Sequence, residues 1–73
     1  MRKNLKKARR EAGLTQQAMA DKLNIGLRYY KALESGERLG SIELWDDLED
    51  ITGIHQRRLR EIQDIRHVPE DNQ

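Results

Sequence analysis

Residues 16–35 read QQAMADKLNIGLRYYKALES, and this stretch decides the fold. Thr15 stands immediately before it as an N-cap, and Ala18, Met19, Ala20 and Leu23 then recur as the small or apolar positions of one helix ending at Leu23. Asn24-Ile25-Gly26 is a corner: Asn tolerates the left-handed backbone that a tight connection needs, and Ile25 can pack into it. A second helix runs from about Leu27 to Ser35, with Tyr30 and Leu33 facing inward and Gly36 as its stop. Two helices crossing over so short a turn need a small residue at their closest approach, which Ala20 supplies. They also need interlocking apolar residues, supplied by Met19, Leu23, Ile25, Tyr30 and Leu33.

The flanks continue the helical pattern. Glycines at 13, 26, 36, 40 and 53 cut the chain into segments of helical rather than alternating spacing. Residues 2–12 place Leu5, Ala8 and Ala12 on one stripe before Gly13. Ser41 caps a fourth helix, in which Ile42, Leu44, Trp45, Leu48 and Ile51 recur up to Gly53. A fifth segment over 55–66 carries Leu59, Ile62 and Ile65 among Arg57, Arg58, Arg60 and Arg66. The expectation is an all-α, five-helix domain over residues 1–66, followed by a polar tail, 67–73, that frays.

Composition narrows the function. Seventy-three residues make one small domain with a thin core. There is no Cys, so disulfides and thiolate chemistry are excluded. The chain has no apolar run near the roughly 20 residues that span a bilayer, which predicts a cytoplasmic protein that makes no use of a membrane. No Ser, His and acid arrangement and no Gly-rich phosphate loop suggests an enzyme, and no cofactor is expected. His55 and His67 lack a third ligand, so no metal is expected either. The net charge of +1 hides an asymmetry: residues 1–38 carry +6, residues 39–54 carry −5, and residues 55–73 balance. A basic first half is the footprint of a phosphate binder, although on charge alone a solvated surface is the better account.

The chain resembles the phage repressor and Cro type of helix-turn-helix, the XRE family of transcription regulators. The likeness is carried by Leu5 and Arg9, Gly13-Leu14-Thr15-Gln16, Ala20, Leu23, Asn24-Ile25, Leu33-Glu34, Gly36 and the stretch from Ser41 to Ile54. The resemblance implies a lambda-repressor-like fold whose third helix enters the major groove of an operator in double-stranded DNA while the second braces it, usually in a homodimer. It also implies a partly buried ion pair between Arg9 and Glu34 that fixes the third helix. Three positions depart from the family pattern. Gly26 replaces the usual Ser before the third helix, Leu39-Gly40 replaces a frequent Pro and suggests a more mobile loop, and His55 stands where Ser or Asp often caps the fifth helix.

On this basis the residues expected at DNA are Gln16, Gln17, Leu27, Arg28, Tyr29, Lys31, Ala32, Ser35 and Arg38. By resemblance, Gln16 bonds a phosphate while Leu27, Arg28 and Ala32 point at bases. Arg28 can bond guanine O6 and N7 together, and Leu27 and Ala32 offer apolar contact to a thymine methyl. Lys31, Tyr29, Ser35 and Arg38 suit backbone oxygens. Tyr30 is expected in the core, and Trp45 in the core or a dimer contact. Ile54, Leu59, Ile62 and Ile65 are the expected subunit seam, unless they simply close the monomer's core. A competing reading keeps the fold but makes helices four and five the docking surface for a protein partner, as in an antitoxin.

Overall fold

Local capping explains where most of the helices begin and end. The computed structural model describes residues 1–63 and contains α1 (Lys3–Glu11), α2 (Gln16–Leu23), α3 (Leu27–Ser35), α4 (Ile42–Thr52) and α5 (Gln56–Leu59). Thr15 Oγ1 accepts the amide of Ala18 at 3.0 Å and Ser41 Oγ accepts that of Leu44 at 3.1 Å, so α2 and α4 start on the residues that sequence indicates. Asn24 closes α2 in the left-handed conformation at φ 59°, which turns the chain directly into α3. Gly26 opens α3 without a side-chain cap. His55 does cap α5: its Nδ1 accepts the Arg57 amide at 3.0 Å.

The helices enclose one core of Leu5, Ala8, Met19, Ala20, Leu23, Tyr30, Leu33, Leu44, Trp45, Leu48 and Leu59, with Leu14, Ile25, Ile51 and Ile54 packed on its edge. Trp45 and Tyr30 are its largest fully buried side chains. Two expected core positions lie elsewhere. Ala12 is exposed, because the inward stripe of α1 is Leu5, Ala8 and Arg9. Ile42 is 75% exposed, since the first residue of α4 precedes the face that packs.

The fifth helix is shorter than its sequence pattern indicates: a single turn, Gln56–Leu59, in place of 55–66. Its continuation is diverted by the N-terminus. The Arg60 carbonyl, which would accept the next helical amide, instead accepts Arg2 Nε at 3.0 Å. Gln63 N donates to the Met1 carbonyl at 2.7 Å, and the Met1 amine donates to the Gln63 carbonyl at 3.2 Å, laying residues 61–63 beside the start of the chain. Residues 64–66 of the expected helix, Ile65 among them, and the tail 67–73 lie outside the described residues.

The loop between α3 and α4 is pinned, contrary to the expectation of a mobile one. The amides of Glu37 and Arg38 both donate to Ala32 O, at 2.9 and 3.2 Å, and Trp45 Nε1 donates to Leu39 O at 2.7 Å. Gly40 adopts φ +78°, and a Cβ there would lie 2.8 Å from Trp45 Nε1 and 3.1 Å from Leu33 Cδ2. A Gly40→Ala variant is therefore strained in its backbone and overpacked at once, with an expected loss of about 2 kcal/mol or more. Equilibrium denaturation measures this, and a midpoint equal to wild type would contradict it.

Candidate nucleic-acid interface

The site is built on α3, which α2 crosses and α1 ties down. Glu34 is the anchor. It is 5% exposed and its carboxylate accepts three side-chain hydrogen bonds: from Arg9 Nε and from Tyr30 Oη at Oε2, both 2.6 Å, and from Gln16 Nε2 at Oε1, 3.0 Å. Arg9, 7% exposed, also donates Nη1 to Leu14 O at 2.8 Å and so grips the turn leading into α2. One carboxylate thus joins α1, α2 and α3.

Electrostatics follow from this geometry. Burial alone would raise the Glu34 pKa, but the hydrogen bonds from Arg9, Tyr30 and Gln16, with the Arg9 charge, hold it below its ordinary value of 4.5. Burial and the adjacent Glu34 push the Tyr30 hydroxyl well above its usual range, so it stays a neutral donor. For Arg9, burial disfavours the charge, and the bond to Glu34 more than restores it, leaving the pKa raised.

With its inner face held, α3 presents Leu27, Arg28, Tyr29, Lys31, Ala32 and Ser35 along a shallow open groove of about 800 Å³ that Gly26, Glu37 and Arg38 complete. The groove gathers seven of the nine residues assigned to DNA. Arg28, Lys31 and Arg38 are exposed, and none forms an ion pair among the described residues. Leu27 and Ala32 are half-buried between them, and Tyr29 lies at its rim.

Three assigned residues already have intramolecular partners. Ser35 Oγ donates to Ala32 O at 3.1 Å and accepts the Glu37 amide at 3.4 Å, so its hydroxyl hydrogen is engaged within α3. Gln16 gives one amide hydrogen to Glu34 and retains the second. Gln17, exposed on α2, donates to Asp21 Oδ1 at 2.9 Å.

The expected subunit seam is divided by the structure. Leu59 is fully buried in the monomer's core and Ile54 is half-buried against it, so these two close the monomer. Ile62 stands 51% exposed beside Gly36. Larger exposed apolar surface lies at Leu39, 77% exposed, and at Ile42.

Sequence reasoning missed Arg2, which is 2% exposed. Its Nη1 donates to Leu33 O at 2.6 Å and to Arg38 O at 2.8 Å, its Nε donates to Arg60 O, and its guanidinium lies 5.1 Å from the Trp45 ring centroid. Burial and then the charge of Arg60 lower its pKa. The spacing held a signal: Arg2, Leu5 and Arg9 stand at i, i+3 and i+7, on a single helix face.

The sequence profile of the helix-turn-helix family matches residues 5–56, which covers α1 from Leu5 onward, all of α2, α3 and α4, and the turn into α5. Among curated proteins and among solved structures, none matches the chain. Among the described residues, no helix is long and apolar enough to cross a membrane.

Proposed function

Because the chain belongs to the Cro/C1-type helix-turn-helix family, the XRE family of DNA-binding transcription regulators, we propose that it binds a specific operator in double-stranded DNA as a homodimer and represses transcription, in the cytoplasm. The observation that carries this reading is the face of α3, where Arg28, Lys31 and Arg38 lie exposed while the opposite face is locked through Glu34. In the major groove Arg28 bonds guanine, and Leu27 and Ala32 meet apolar base surface. Gln16 gives its second amide hydrogen to a phosphate, and Lys31, Tyr29 and Arg38 hold the backbone with Gln17 and Ser35 beside them. No catalytic step enters this function.

One recognition helix spans too few base pairs for useful specificity, so two copies set about one helical turn apart supply it. Among the described residues, the exposed Leu39 and Ile42, together with Ile62, offer apolar surface for that pairing. The same exposed residues favour a second reading, a dock for another protein. Replacing Arg28 and Lys31 together separates the two: under the first reading operator binding is abolished, and under the second the binding of a different protein through Leu39 and Ile42 is left intact.

Binding through phosphates releases counterions. With about four to six phosphate contacts per subunit, the slope of log affinity against log salt for a dimer is expected to be on the order of −7 to −11. Titration of a labelled duplex across a salt series measures it. A slope near zero would contradict the reading.

A further inference from the structure

Arg2 is a buried cation with no carboxylate partner among the described residues, and nothing in the direct DNA contacts uses it. Its surroundings show what it holds. Leu33 O is at the C-terminal end of α3, where unpaired carbonyls and the helix dipole concentrate negative potential, and the last turn of α3 carries no basic residue of its own. Arg2 supplies that cation from the start of α1. The same Nη1 takes Arg38 O, and Arg2's own backbone amide donates to Glu34 O at 2.7 Å. Beneath it Trp45, the chain's single Trp, holds the neighbouring carbonyl of Leu39. Stacked side chains from the residue that precedes α1 and from α4 therefore fix two consecutive carbonyls of the loop that carries Arg38.

We propose that Arg2 is a positioning residue: its guanidinium, stacked on Trp45 and bonded to the carbonyls of Leu33 and Arg38, sets the loop after α3 so that the Arg38 side chain meets a DNA phosphate. The proposal rests on the DNA-binding reading and adds to it a residue that touches no DNA. Arginine suits the task because its planar fork of donors reaches Leu33, Arg38 and Arg60 carbonyls together, which a lysine ammonium cannot do in the same geometry. The carbonyl of Arg60 brings the 60–63 segment into the same clamp, so a disturbance of that segment is transmitted to the loop.

The test has a part without DNA and a part with it. In the free protein, Arg2→Met is expected to speed hydrogen exchange of the Glu37 and Arg38 amides at least tenfold relative to the amides of α2. Unchanged relative protection would overturn the proposal whatever the protein binds. With DNA, Arg38→Ala removes one phosphate contact per subunit, and the salt slope of a dimer becomes shallower by about 2. Arg2→Met, assayed well below its melting midpoint, is expected to produce the same change. The Arg2→Met/Arg38→Ala double variant is expected to be no weaker than the weaker single. Additive losses, or a slope that Arg2→Met leaves at the wild-type value, would overturn it. If Arg2→Met does not fold, Arg2→Lys takes its place, with a slope expected between wild type and Arg38→Ala; a wild-type slope again overturns the proposal. A wild-type protein that binds no duplex defeats the DNA-binding reading instead, and the exchange measurement shows separately whether Arg2 orders the loop.

Discussion

Arg9→Met is expected to destabilise the protein by about 3 kcal/mol or more at neutral pH, a large share of the stability of so small a domain. Methionine keeps most of the volume, so the loss comes from the charge left behind. Glu34 remains 5% exposed, with Tyr30 and Gln16 still donating but without its cation. The pH dependence separates this from a packing defect. In the wild type the folded pKa of Glu34 lies below its ordinary value of 4.5, so the pair contributes fully above that value and its contribution is lost as pH falls through the lowered folded pKa. In the variant the uncompensated carboxylate takes up a proton more readily, which reverses the sign. The deficit relative to wild type is therefore largest above about pH 5 and shrinks on acidification. Adding Glu34→Gln to Arg9→Met is expected to recover part of the loss, because the buried charge is then gone. Urea titrations at several pH values check all three statements. A deficit under about 1 kcal/mol, or one that does not vary with pH, would show that the ion pair does not hold α3 in place.

Arg28→Ala carries the second large effect, on binding rather than on folding. The side chain is exposed and has no ion-pair partner among the described residues, so stability is expected to change by no more than about 0.5 kcal/mol. At the operator each bidentate arginine-guanine contact contributes about 1–3 kcal/mol. Two half-sites thus lose roughly 30-fold to 10⁴-fold in affinity, with preference for guanine at the contacted position erased. Arg38→Ala is the contrast: it weakens binding uniformly across sequences and flattens the salt dependence. Competition of variant duplexes distinguishes the two. An Arg28→Ala protein that keeps the wild-type order of preference would show that another side chain reads the bases.

Much of the fold was legible because its decisive steps are local. Thr15, Asn24, Ser41 and Gly53 act on residues one to four positions away, and the apolar positions of α2 and α3 recur at helical spacing. The locations of Glu34 and Arg9 followed from family resemblance, but the full network did not. Tyr30 stands one turn before Glu34 on α3, an i, i+4 spacing that carried a signal. Gln16 reaches Glu34 only because α2 and α3 cross, and no sequence spacing encodes that distance. The truncation of α5 was illegible for the same reason: its apolar spacing continues through Ile65, while the residues that divert it, Met1 and Arg2, are some 60 positions away. Gly40 invited a reading of mobility, since a glycine in a loop gives no sign of the Trp45 ring against it. Arg2 sits on the correct stripe for burial, yet a charged residue at a helix start is assigned by default to solvent.

The claim that this chain reads DNA sequence is tested most directly by selecting bound duplexes from a random pool and reading the enriched sequences. Two inverted half-sites with centres about one helical turn apart, each containing a guanine whose enrichment vanishes in Arg28→Ala, are the predicted result. A folded protein that enriches no sequence from the pool would contradict it.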